Sequence, residues 1–208
     1  MAGSRLTRRQ FWPALAACAA GVAIPAAAGR AARGERYFVA LAIVPPDRGE
    51  AWTGFLTTAM PVWGRHGMAL RGAYRVVGGD DRLPLTHVAV IHVDSDAGFR
   101  AYLSDDDYGA VQESRERAAA FFAVADGHGT LRPGPAAPLS MLTLGNDLPQ
   151  TARPTLRMAL TTVGAVTGDP GPLRGADALL IRPVTGDDDP DFRGGSGRFS
   201  WALAPAGA

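Results

Sequence analysis

The sequence predicts an α+β fold: a four-stranded antiparallel sheet with its helices on one face, followed by a β-rich C-terminal extension. Three observations predict it. Between residues 37 and 127, apolar runs and helical periodicity alternate as strand–helix–strand–strand–helix–strand, the split βαβ pattern of a ferredoxin-like domain. The two central strand signals are joined by "GGDDRLP" (78–84), whose Gly and Asp suit a hairpin loop. Beyond residue 139 the signals are mostly strand-like and separated by Gly- and Pro-rich stretches.

The elements follow in order. "YFVALAIV" (37–44) is a fully apolar run ended by Pro45-Pro46, which reads as a buried strand. Glu50 to Arg65 reads as a helix, with Trp52, Phe55, Leu56, Met60 and Trp63 at helical spacing and His66-Gly67 as its stop; Pro61 should kink the last turn. "MALRGAYRVV" (68–77) and "LTHVAVIHV" (85–93) are strands. Asp96 to Leu103 opens a second helical stretch, which breaks and restarts where Ser104 and Asp107 form a weak capping box. A last strand falls near "FFAVAD" (121–126).

Two helices cover only one face of such a sheet, yet the first strand is apolar on both. Tyr37, Val39, Leu41 and Ile43 line one face, and Phe38, Ala40, Ala42 and Val44 the other. An antiparallel sheet with a wet face should alternate apolar with polar. At roughly 25 cal/mol per Å² of apolar surface, leaving the second face in water is costly, so something covers it. A second copy of the chain or the C-terminal third are the candidates, and a homodimer is the favoured one.

"HGMALRGAYRVV" and "THVAVIHVDSDAGFRAYLSDDDYGAVQESRERAAAFFAVADG" resemble the dimeric α+β-barrel superfamily, and within it the domain-of-unknown-function thirteen-thirty family. The resemblance rests on His66-Gly67, on Ser104 with Tyr108 one place late, and on Arg115 to Ala118. It implies two sheets packed face to face as a barrel. The superfamily includes cofactor-independent monooxygenases, haem-handling enzymes and proteins of no known activity, so fold alone selects no reaction.

Residues 128–139 read as a linker, "LRPGPAAP" among them, and 140–208 as the extension, either a degenerate second half-barrel or a β-rich flap. "SMLTLG" (140–145), "ADALLIRPV" (176–184) and "RFSWALA" (198–204) are strands, while 154–166 fits strand and helix equally.

Residues 1–28 read as a signal peptide. Arg5, Arg8 and Arg9 form a positive head, Phe11 to Ile24 an apolar middle, and Pro25 to Ala28 a small-residue end. At about 14 residues the middle is too short to span a bilayer core of roughly 30 Å. Thr7-Arg8-Arg9-Gln10-Phe11 resembles the twin-arginine export signal, which implies the twin-arginine machinery as a partner and a periplasmic or extracellular destination. Leu15-Ala16-Ala17-Cys18 matches a lipoprotein box, but the apolar run continues past Cys18, against lipidation.

The full chain carries 21 basic and 20 acidic residues; loss of the three arginines at the head leaves a net charge of −2. No basic excess remains to hold nucleic acid or an anionic membrane. Cys18 is the only cysteine and there is no lysine, so a mature chain has neither disulfide nor thiol nor Schiff-base chemistry. No metal or cofactor is expected: HExxH, CxxC and phosphate-loop patterns are absent. "GGSGR" (194–198) lacks the last Gly of a nucleophile elbow, and "GDDDPD" (186–191) lacks the central Gly and closing Glu of a calcium loop.

Four histidines remain. His87 and His92 are an odd number apart on one strand and face opposite sides; His128 falls in the linker. His66 sits at the expected barrel mouth, where it is a candidate base or haem ligand, or else a helix-terminating residue. His66 and His87 are the catalytic candidates, and Tyr37 and Tyr74 the ligand-binding ones. Arg71 and Arg75 share a face, directed to solvent or an interface. The leading expectation is an exported protein that binds a small organic molecule in a half-apolar barrel. A cofactor-independent monooxygenase- or isomerase-like enzyme is the alternative, and an oligomerisation module the third reading. The first two require a His and a Tyr to converge in a pocket of roughly 300 Å³ or more; the third requires a filled barrel with an exposed apolar patch.

Overall fold

In the computed structural model, residues 34–132, 137–146, 148, 154–169, 173, 175–184 and 198–206 are described. Contacts divide the chain into residues Met1–Ala31 and Ala32–Ala208, and every described residue belongs to the second unit. The signal motif with Arg8, Arg9, Phe11 and Cys18, and the "GDDDPD" turn, lie outside the described residues.

β1 (Glu35–Ile43) pairs antiparallel with β3 (His87–Val93) on one side and β4 (Phe121–Leu131) on the other. β2 (Met68–Gly79) pairs with β3 and with β8 (Arg198–Pro205). β5 (Ser140–Gly145) lies between β8 and β7 (Ala178–Pro183), and β6 (Leu156–Thr167) joins β7 to β4. The result is a closed eight-stranded antiparallel barrel in the order β1-β3-β2-β8-β5-β7-β6-β4. This overturns the expected ferredoxin-like α+β sheet: β2 and β4, which would be the edges of an open sheet, are taken up by β8 and β6. The apolar face that called for a second copy is covered by the chain's own β5–β8. Segment 154–166, ambiguous in sequence, is settled as strand by its pairing along β4. Around the barrel, β4-β1-β3-β2 is followed by β8-β5-β7-β6, so the last four strands repeat the connectivity of the first four.

The inner face is an apolar core. Val39, Leu41, Leu142, Leu144, Leu156, Leu179 and Leu203 are all fully buried there, each leucine contributing about 2 kcal/mol by leaving water. Strands β1, β2, β5 and β6 all begin at one end. At the opposite end, Leu83 and Leu85 from the β2–β3 loop and Leu173 from the β6–β7 connection join the core cluster as a plug. Trp201 fixes that plug by donating its indole N–H to the Leu83 carbonyl at 3.0 Å, and Arg82 lies 4.2 Å from the centre of the Phe199 ring.

Closure between β4 and β6 depends on missing side chains. A Cβ on Gly127 would stand 2.2 Å from the Ala159 carbonyl oxygen, and one on Gly129 2.1 Å from that of Arg157. Both contacts are with backbone, so a side chain at either position would force the strands apart.

The outer face of β1, β3 and β4 carries three helices: α1 (Gly49–Arg65), preceded by a 3₁₀ turn at Pro46–Arg48, then α2 (Asp96–Leu103) and α3 (Tyr108–Ala118). α1 runs through Pro61 to Arg65 and buries Trp52, Phe55, Ala59, Val62 and Trp63. Met60, expected on that face, is 44% exposed; small Ala59 takes the buried line and lets the helix approach the sheet. Phe38 meets Phe99 edge-on at 4.7 Å, and Phe55 meets Phe122 at 5.9 Å. Ser95 caps α2 by accepting from the Gly98 N–H at 3.0 Å. The expected Ser104–Asp107 box does not form. Asp107 is the N-cap of α3 without a side-chain cap bond, and its carboxylate accepts from Arg65 instead. Among the described residues, no helix is long and apolar enough to cross a membrane.

Candidate functional site

Among the described residues, ionisable side chains meet on the inner face at the end where β1 starts. The register pairs Tyr37 with His92, and alternation along β1 adds Glu35 on the same face. The Tyr37 and His92 rings lie 5.3 Å apart. Tyr37 donates its hydroxyl hydrogen to Glu35 Oε2, and His92 Nε2 stands 3.8 Å from that same oxygen. On the other side of the ring, Asp94 Oδ1 is 3.0 Å from His92 Nδ1. This buried nitrogen nevertheless has no hydrogen bond.

Burial, then the Glu35 hydrogen bond, push the Tyr37 phenol up to about 12; Arg71 is near enough to oppose the shift. A β-bulge between Leu70 and Gly72 brings this about, because it takes Arg71 out of the simple alternation that sequence parity assumed. The rim holds a shallow cleft of about 230 Å³, lined by Gly34, Glu35, Arg36, His92 to Asp96, and His128. Arg36 is committed: it makes a bidentate pair with Asp126 at 3.0 and 2.7 Å and reaches Asp96 as well. Glu35 and Asp94 remain about two-thirds exposed, with carboxylates open to a ligand.

The sequence-predicted residues divide. Tyr37 belongs to the rim. Tyr74 is also on the inner face but packs against the core, its ring folded over Gly72, and burial raises its pKa. His87 faces the helices, 5.1 Å from the Trp52 ring and 3.0 Å from Thr86 Oγ1, and does not reach the barrel interior. His66 caps α1 with Nε2 2.6 Å from Asp105 Oδ2, and it is not among the residues lining the cleft. The two catalytic candidates therefore do not come together. His128, expected in a linker, lies in β4 at the cleft. His92 and Glu35 were missed as site residues; the available signal was the odd spacing of His87 and His92, which put one of them on the inner face. Among the described residues, no group of three or more His, Cys, Asp or Glu is placed to hold a metal.

No family model matches this chain, and no curated protein matches it. Among solved structures, a putative monooxygenase from Lactobacillus acidophilus NCFM is similar, with a TM-score of 0.48 and 9% identity over 82% of this chain and 93% of that one. At that identity and score, nothing about chemistry passes from that protein to this chain.

Proposed function

We propose that this chain binds a small molecule rich in hydrogen-bond donors, an amine or a polyol, at the rim of its barrel through Glu35, Tyr37, His92 and Asp94. One observation carries the reading: Glu35, His92 and Asp94 line a cleft at one end with Tyr37 packed behind them against Glu35 and His92, while the described remainder of the barrel interior is filled by apolar side chains. The site thus moves from the interior to the rim. At about 230 Å³ the cleft suits a ligand smaller than the roughly 300 Å³ at which drug-sized pockets begin. Exposed carboxylates favour donors and repel anions. An isomerase- or oxygenase-type enzyme is the second reading, favoured by an imidazole set between two carboxylates, which suits proton transfer. Titration of ¹⁵N-labelled protein with a primary amine, a polyol and a monocarboxylate tests the proposal. The first or second should shift the amides of residues 34–36, 92–96 and 128, and Glu35→Gln should abolish the shifts. An unmoved rim, or shifts indifferent to that substitution, would overturn it.

We propose further that residues 1–28 direct export by a twin-arginine route to the periplasm or beyond. Support comes from Arg8-Arg9 followed by Phe11, an apolar middle and the Ala26-Ala27-Ala28 end. Replacing Arg8 and Arg9 with Lys should leave the precursor inside the cell; unchanged export would sink the idea.

A further inference from the structure

Gly67 ends the turn after α1 with φ +68°, and its carbonyl accepts from the Asp94 N–H at 2.9 Å. A Cβ built on Gly67 would stand 2.8 Å from Asp94 Oδ2 and 3.1 Å from Asp94 Cβ. The Asp94 carboxylate thus occupies space that only a missing side chain leaves free, with its other oxygen 3.0 Å from His92 Nδ1. Asp94 is also 64% exposed at its side chain. A side chain at position 67 would therefore not need to break the fold, because the carboxylate can swing into solvent. What it would break is the contact with His92.

We propose that Gly67 is a positioning residue for the rim site: it seats Asp94 against His92 Nδ1. The negative charge 3.0 Å away favours a proton on Nδ1 even without a hydrogen bond, which leaves Nε2 as the acceptor for a donor group in the cleft. The left-handed conformation accounts for a glycine by itself, but it does not account for a carboxylate lying on that glycine with an oxygen 3.0 Å from an imidazole nitrogen. The proposal rests on the rim being the binding site. The tautomer is read without any ligand, so failure here and failure of ligand binding are separate results.

The experiment is long-range ¹H–¹⁵N NMR of His92 with the ring neutral at high pH, in the full chain and four variants. The unsubstituted chain should show the Nδ1–H tautomer as the major form. Asp94→Ala should shift it towards Nε2–H, Gly67→Ala should reproduce that shift, and the double variant should match Asp94→Ala alone. Gly175→Ala, at φ +90° with open space around it, carries the left-handed strain without the contact and should leave His92 unchanged. Should Gly67→Ala fail to fold, Gly67→Asn places a Cβ at the same point on a residue that tolerates this φ. An unchanged tautomer in the folded Gly67 variant, Nε2–H as the major form in the unsubstituted chain, or additive effects in the double variant would each overturn the proposal.

Discussion

Asp105 Oδ2 stands 2.6 Å from His66 Nε2, which ties the end of α1 to the loop between α2 and α3. The same carboxylate accepts from Arg65 at 2.9 Å and from the Asp107 N–H at 2.9 Å. His66 first, then the Asp107 N–H and Arg65, hold the Asp105 carboxyl down to about 2. A carboxylate with a depressed folded pKa stabilises the fold above its unfolded value, near 4, and loses that contribution as pH falls towards the folded one. Urea midpoints should therefore drop between about pH 4 and pH 2, and Asp105→Asn should flatten part of that slope. An identical slope in the variant would assign the acid sensitivity elsewhere.

His87 loses stability in the same direction of pH, but because its charged form is disfavoured rather than favoured. Burial against the helices, and then Arg75, lower its pKa from the usual 6.5. The unfolded chain then binds a proton that the folded chain resists, so stability falls as pH drops below about 6.5. His87→Gln should remove this step while leaving the acid limb of Asp105 in place. Melting curves from pH 8 to pH 5 on both proteins check it.

Arg115 is 5% exposed in the helical layer, and its Nε and one terminal nitrogen have no hydrogen-bond partner. Its guanidinium lies 5.4 Å from the centre of the Phe122 ring. Tyr108 shares a hydrogen bond with it, but among the described residues no acid forms a salt bridge to it; a buried charge so placed is costly, and an apolar residue of similar length often replaces such a group without loss. Arg115→Met should leave stability within about 1 kcal/mol or raise it. A loss above about 3 kcal/mol in denaturant unfolding would show that the cation holds the layer together.

Gly129→Ala should cost at least about 2 kcal/mol, because the added methyl meets β6 backbone. Gly164→Ala, with nothing near its Cβ position, should cost less than about 0.5 kcal/mol or stabilise. Equal effects at the two positions would mean that the β4–β6 seam is not tight.

Local elements were legible because their causes are local. The apolar run of β1, the Ser95-capped α2 and the hairpin loop before β3 each announce themselves within a few residues. Parity correctly separated His87 from His92, but which of the two faces the interior depends on β5–β8 closing over that face. Tyr37 meets His92 only through the cross-strand register, a pairing that local pattern does not encode. The β2 bulge defeated the parity reading of Arg71, since one extra residue reverses every face beyond it. Segment 154–166 was undecided because its half-exposed residues follow neither period cleanly; β4 and β7 decide it.

The seam between β2 and β8, where Tyr74 pairs with Pro205, also sets the order in which the molecule can be completed. The first four strands emerge from the ribosome with their inner face bare, and β8, the strand that β2 needs, follows only after β5, β6 and β7. Pairings so distant in sequence make folding slow and leave aggregation-prone surface waiting. Ring closure therefore awaits β8, and a nascent chain truncated anywhere before it should bind a general chaperone that the finished barrel no longer engages.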